Sequence, residues 1–340
     1  MRVPAAAPAE ERGLTRDGVR LLVAGPAGLT HARFADLPRF LSPGDLLVVN
    51  TSATVAAAID GLLPGGGPVA VHVSGTLDDG TWLVELRQPA PRAGRVTAAL
   101  PGEVITLPAG VPLTLLRRYP DAASTRMWAA SAAAEGGAGA YLARHGRPIR
   151  YSYVPRPWPL PAYQTVFARS PGSAEMPSAG RPFTAELVTG LVAAGVVLAP
   201  ITLHAGVASL EAGEPPLPER FAVPEPTAEL VSLTRAAGRR VVAVGTSSTR
   251  ALESAAGPGG TVRASEGWTS LVLGPDRPAR VVTGLITGWH DEEASHLALL
   301  EAVAGAGLVS AAYRQAEAAG YLWHEFGDSC LLLPGPPASG

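Results

Sequence analysis

Apolar residues recur along this chain in two rhythms. The first is a series of short, nearly unbroken runs: VRLLVA (19–24), LLVV (46–49), VVLAPITLH (196–204), VVAV (241–244) and SCLLL (329–333). Rich in β-branched residues and bounded by Gly, Pro or Asp, they read as strands buried on both faces. GWTSLVLG (267–274) and RVVTGLITG (280–288) add two more. Between these runs the spacing changes to three or four residues. Phe34, Leu37, Phe40 and Leu41 mark a short helix, and Leu187, Leu191 and Ala194 mark a longer one over 183–194 that Thr184 is placed to cap. Further helices are expected over 227–237, 291–304 and 308–319, with a Pro/Glu loop over 211–226. Alternating strands and helices predict an α/β body with a largely parallel sheet.

The second rhythm begins after Gly65-Gly66-Gly67-Pro68. VAVHVSG, TWLVELR, EVITL, PLTLLRR and TRMWAA follow one another, separated by Asp-Gly and Pro-Gly turns, before a Gly/Ala-rich segment at 134–146. Short alternating strands at such spacing predict an antiparallel sandwich or small barrel. The chain is therefore divided into 1–65 with 151–340, and an inserted β-domain over 66–150. The proline- and aromatic-rich stretch 151–165 is too interrupted for a helix or a central strand, and is read as an extended return between domains.

Candidate chemistry clusters where strands end. Arg239–Glu253 reads RRVVAVG-TSSTRALES, a strand, a tight turn at Gly245 and a helix. With Ser247 or Ser248 as its cap, this junction aims backbone N–H groups and the hydroxyls of Thr246, Ser247, Ser248 and Thr249 at one spot. Arg250 and Glu253 share a helix face one turn further on. That is a site for a polar or anionic small molecule, or else an ordinary βα loop with a surface Arg–Glu pair. Asn50-Thr51-Ser52 closes one strand and His204 closes another, both at carboxyl ends that in open α/β sheets border the ligand crevice. The irregular stretch 167–180 adds Ser173, Ser178 and Gly180.

Composition removes several alternatives. There are 340 residues, one cysteine, no lysine and 27 arginines, with a formal net charge of −2. Lysine-based Schiff-base and P-loop chemistry is absent, as are disulfides and cysteine-built metal or iron–sulfur sites. Cys330 lies in an apolar strand and reads as a small buried hydrophobe. The seven histidines lack metal-ligand spacing, so no metal site is expected. No apolar run reaches membrane-spanning length, and the acidic, Ala/Pro-rich start MRVPAAAPAEERG is unlike a signal peptide, so a cytoplasmic location is expected. The net charge gives no global basic field for nucleic acid, which leaves only a local arginine patch for that purpose.

Eight pieces in fixed order carry a family resemblance: LSPGDLLVVNT (41–51), YQTVFA (163–168), PSAG with FT (177–184), TLH with Gly206, VGT with Arg250 and Glu253, GWT (267–269), LIT with His290, and FGD (326–328). Together they resemble the S-adenosylmethionine:tRNA ribosyltransferase-isomerase family of queuosine biosynthesis. The resemblance implies an α/β fold: a barrel-like α/β main domain with an inserted antiparallel β-barrel domain. It implies transfer and isomerisation of the ribosyl group of S-adenosylmethionine onto 7-aminomethyl-7-deazaguanine in tRNA, forming epoxyqueuosine, with adenine and methionine released. S-adenosylmethionine is then a substrate, no cofactor is tightly bound, and the partner is the tRNA anticodon region, met by a monomer.

Mapped onto this chain, His204 or Glu253 is the expected base and Arg250 holds a carboxylate or ribose. The expected substrate-binding residues are Asn50, Thr51, Tyr163, Gln164, Thr165, Ser178, Gly180, Thr184, Gly245, Thr246, Ser247, His290 and Asp328, with Tyr163 or Trp289 facing the sulfonium. The chain also departs from the family motifs. Two motif arginines are replaced by Ala53 and Ala58, Arg181-Pro182 stand where a histidine is usual, and Asp291-Glu292 follow His290. Three readings result: the tRNA enzyme itself, a divergent paralogue using S-adenosylmethionine with another acceptor, and a non-catalytic ligand- or RNA-binding relative.

Overall fold

The computed structural model describes residues 3–89, 94–151, 153–154, 156–207, 216–290, 296–323 and 325–335. In chain order the strands are β1 (Val3–Pro4), β2 (Arg20–Gly25), β3 (Gly28–Arg33), β4 (Leu46–Asn50), β5 (Ser52–Thr54), β6 (Ala58–Leu62), β7 (Pro68–Thr76), β8 (Trp82–Arg87), β9 (Val104–Thr106), β10 (Pro112–Tyr119), β11 (Met127–Ala132), β12 (Ser170–Ser173), β13 (Val197–Leu203), β14 (Glu219–Val223), β15 (Val241–Val244), β16 (Ser265–Thr269), β17 (Gly284–Gly288), β18 (Leu322–Trp323) and β19 (Ser329–Leu332). The helices are α1 (Gly137–His145), α2 (Ala185–Ala193), α3 (Glu225–Ala236), α4 (Gly245–Ser254), α5 (His296–Ala304) and α6 (Ala306–Ala318), and Phe34–Phe40 forms a 3-10 helix.

Nine strands form the main sheet in the order β16-β14-β13-β4-β15-β17-β19-β2-β3. Its centre, β13-β4-β15-β17, is parallel; the β16-β14-β13 flank is antiparallel, and on the other flank β17-β19 and β2-β3 are antiparallel while β19-β2 is parallel. The body is thus mixed rather than parallel throughout. The unbroken apolar runs follow from having two covered faces. Along β4, Leu46 and Val48 join one core while Leu47 and Val49 join the other, and β15 divides Val241 and Ala243 from Val242 and Val244 in the same way. Helices α3 to α6 contribute to the first core, and α2 with the 3-10 helix contributes to the second. Each such side chain gains about 1.5–3 kcal/mol on leaving water. The expected loop at 211–226 contains β14, whose Phe221 and Val223 alternate into the core.

The second module is a closed antiparallel barrel, β10-β11-β8-β7-β6-β9. Ile59, Val71, Val84, Leu113 and Trp128 fill it, and Tyr141 and Leu142 of α1 pack into the same core. Its strand β6 precedes the glycine run. Gly65 and Gly66, with φ of +92° and +86°, make the tight turn of the β6–β7 hairpin rather than a hinge. Outer-face residues Leu83, Tyr119, Met127 and Ala129 pack against Leu217 and Trp268 of the body. No helix among the described residues is long and apolar enough to cross a membrane.

Candidate active site

Because β13, β4, β15 and β17 run parallel, Leu203, Asn50, Val244 and Gly288 all end at one edge of the sheet. Asn50 is buried and ties three of these ends together. Its Nδ2 donates to the Leu203 carbonyl at 2.8 Å and to Ser247 Oγ at 3.2 Å, and its Oδ1 accepts from the N–H groups of Leu203 and Ser52, each at 3.0 Å. The Thr51 hydroxyl donates to the Ile201 carbonyl at 2.9 Å. Both side chains build the edge of the crevice by spending their polar atoms on the backbone.

His204 sits where this edge meets the barrel. Its Nδ1 lies 2.7 Å from Ser52 Oγ, which in turn lies 2.6 Å from Ser173 Oγ. Ser173 also accepts the Ala205 N–H at 3.0 Å. Strand β12 carries Ser173 there by pairing parallel with β5, inside the stretch the sequence left irregular. Burial holds the imidazole below the ordinary histidine range, and Arg220 pushes it the same way. His204 is therefore neutral at pH 7, with its Nε2 making no hydrogen bond to a described residue. A neutral imidazole with one nitrogen fixed is the state a proton acceptor requires.

Helix α4 begins at Gly245 itself (φ +91°), two or three residues before the serines expected to cap it. Ser248 Oγ donates back to the Val244 carbonyl at 2.8 Å and Thr249 Oγ1 to the Gly245 carbonyl at 3.1 Å, so these hydroxyls serve the helix and not the crevice. Thr246 and Ser247 remain half-buried at the edge. The helix has no side-chain cap, which leaves its first N–H groups for solvent or ligand.

Arg250 and Glu253 do not pair with each other. Arg250 donates to the carbonyls of Leu271 and Thr269, at 3.1 and 3.3 Å, and pairs with Glu219 on β14. Burial pushes the Glu219 carboxyl up, against the pull of Arg250, and its other oxygen accepts the Gly206 N–H at 2.9 Å. Arg250 thereby braces the loop after His204. Glu253, 1% exposed, accepts the N–H groups of Arg280, Val281 and Val282 at 2.8–3.0 Å. Its oxygens are spent on holding that loop.

A second group of expected residues packs beside the β17 end. Tyr163 is 2% exposed against Phe326, Trp158 and Met176, and its phenol is pushed up to about 12 by burial and by Glu325. Gln164 bonds the backbone of Thr54 through both ends of its amide, at 2.7 and 3.1 Å. Thr165 packs on Gly180 and its hydroxyl accepts the Phe167 N–H, while Thr184 caps α2 by accepting the Leu187 N–H at 3.1 Å. Asp328 takes Arg20 and the Leu322 N–H. Ser178 and Asp328 line a cavity with Glu325. Trp289 is fully buried against Tyr313, Tyr321 and Trp323, so it does not face a crevice. His290 is half-buried beyond Gly288, and the acidic 291–293 stretch lies outside the described residues.

Of the expected residues, Asn50, Thr51, His204, Thr246 and Ser247 meet at one edge, while Gln164, Thr184 and Glu253 spend their polar atoms on the backbone. The sequence did not single out Glu219 and gave Ser52 no role of its own. Only the carboxyl-end position of Ser52 signalled it; Glu219 lay in a segment taken for a loop.

A polar crevice at the carboxyl ends of parallel strands, with a barrel docked beside it, is the layout of an α/β enzyme. A family model described as queuosine biosynthesis protein matches residues 2–332. The S-adenosylmethionine:tRNA ribosyltransferase-isomerase of Thermus thermophilus is 36% identical over 336 residues, 96% of this chain and 95% of that protein. The enzyme of the same name from Acidiphilium cryptum is 36% identical over 338 residues, covering 95% of each. The crystal structure of the S-adenosylmethionine tRNA ribosyltransferase of Thermotoga maritima superposes with a TM-score of 0.52 at 26% identity, over 97% of this chain and 96% of that one. The chain belongs to the queuosine biosynthesis protein family, a family of enzymes.

Proposed function

We propose that this enzyme transfers the ribosyl group of S-adenosylmethionine to the 7-aminomethyl-7-deazaguanine base of a tRNA and isomerises it to the epoxycyclopentanediol of epoxyqueuosine. The observation that carries the reading is the neutral His204, fixed by Ser52 beside Thr51 and the uncapped start of α4. Protons next to a sulfonium are acidified, and a neutral imidazole in a desolvated site is suited to remove one. His204 is the base in this reading. The N–H groups of Thr246 and Ser247 take an oxygen of the ribose or carboxylate. Arg250 and Glu253 act through the loops they hold rather than on the substrate, and the reaction draws on no tightly bound cofactor.

The crevice has the extent such a substrate needs. Three strand spacings separate the β13 end from the β17 end, about 14 Å. The tRNA would approach over the barrel side, as a monomeric enzyme allows. Ala53 and Ala58, in place of motif arginines, favour a second reading in which the same chemistry serves a smaller acceptor.

One assay separates these. Adenine release from S-adenosylmethionine is followed with the purified enzyme, with and without tRNA bearing the aminomethyl base. Release that requires this tRNA supports the first reading. Release with small acceptors alone supports the second, and no release under any condition ends both.

A further inference from the structure

The loop that leaves β13 gives each N–H group from residue 204 to residue 207 its own acceptor. His204 donates to the Arg220 carbonyl at 2.9 Å, Ala205 to Ser173 Oγ at 3.0 Å and Gly206 to the Glu219 carboxylate at 2.9 Å. These three acceptors belong to the α/β body. The fourth does not: Val207 donates to Ser74 Oγ on barrel strand β7, at 3.0 Å. Gly206 permits that approach, since a Cβ there would stand 2.5 Å from Ser74 Oγ.

The barrel takes the carbonyl of Val207 as well. Arg126, just ahead of β11 and buried, donates to it from one Nη at 2.5 Å and from Nε to Glu85 Oε1 at 3.2 Å. Glu85, on β8, is fully buried and also pairs with Arg87 and Arg95. A buried ion pair is weak evidence for stability, because apolar residues of similar volume often serve as well. What a guanidinium adds is direction, for it is a planar fork with donors at fixed angles. One prong is anchored inside the barrel, and another holds the peptide three residues past His204. Ser52 fixes the ring from the body side, and the barrel fixes the loop behind it.

Resting on the function proposed above, we propose that Arg126 and Ser74 are positioning residues for His204: the barrel clamps the far end of the 204–207 loop and thereby sets where Nε2 points. Neither residue acts on the substrate. Their effect on the reaction passes through the imidazole and vanishes when the imidazole is gone.

A double-mutant cycle tests this. Adenine release from S-adenosylmethionine, with tRNA carrying the aminomethyl base, is measured for the wild type, Arg126→Lys, His204→Gln and the double variant. Thermal melts check folding, and calorimetry gives the Kd for S-adenosylmethionine. Lysine keeps the charge beside Glu85, but its single ammonium does not reproduce the fork. Arg126→Lys is expected to lower kcat about tenfold with Kd unchanged, and to lower it no further once His204 is replaced. Ser74→Ala, a milder change, is run through the same cycle and is expected to show the same pattern with a smaller loss; it decides the question if Arg126→Lys does not fold. Equal losses in both backgrounds, or no loss in the folded variants, overturn the proposal and leave the proposed reaction standing. A His204→Gln protein that releases adenine at the wild-type rate removes the base and this inference with it, and a wild type that releases none removes the reaction as well.

Discussion

Gly172 presses its backbone against the ring of His204. A Cβ at residue 172 would stand 2.5 Å from Nδ1 and 2.6 Å from Cε1, closer than any side chain tolerates. Ser52 Oγ meets the same nitrogen at 2.7 Å. The imidazole is therefore positioned by a missing side chain as much as by a hydrogen bond. Gly172→Ala is expected to displace the ring. Overpacking of this kind costs about 1–3 kcal/mol of stability, but a catalytic group moved by about 1 Å can lose about 10²-fold in kcat/KM. Steady-state kinetics beside thermal melts measure both; an unchanged kcat/KM would show that the position of His204 is immaterial.

Glu253 gives the opposite expectation. It was a candidate base in the sequence, yet three consecutive backbone N–H groups converge on it. Glu253→Gln turns an amide NH2 toward donors and leaves some of them unpaired, a loss of about 3 kcal/mol. The folded fraction is expected to keep kcat within tenfold of wild type. Urea denaturation with activity measured in the absence of denaturant separates the effects. A stable but inactive variant would return Glu253 to the chemistry.

The barrel carries an acid-sensitive group. His72 on β7 is buried, and its pKa falls from 6.5 to about 3, chiefly through burial and then through Arg87, Arg147 and Arg126. As pH drops below 6.5 the unfolded chain takes up this proton first. The contribution of His72 is thus complete above pH 6.5 and drains away as pH falls toward 3. His72→Leu should flatten the loss of stability between pH 7 and 4 relative to wild type. Melting curves for the two proteins that fall in parallel would contradict this.

The strands of the body were legible because a sheet covered on both faces writes itself as continuous β-branched runs; β4, β15 and β17 fall where those runs lie. The barrel was legible from alternation, but its first strand was not, because Gly65 and Gly66 look alike in a hairpin turn and in a linker. Strand-end position was legible for the candidate residues, but the partners of their polar atoms were not. Thr184 is the helix cap that its sequence also predicted, and Asn50 is a backbone tie. Nothing local distinguishes a side chain that meets a ligand from one that meets a distant carbonyl.

The most direct test compares adenine release by the wild type and by His204→Gln, using S-adenosylmethionine and tRNA carrying the aminomethyl base. The variant is expected to bind S-adenosylmethionine with wild-type Kd and to release adenine about 10²- to 10⁴-fold more slowly, the range that a general base supplies. Release at the wild-type rate from His204→Gln would contradict the assignment of the base.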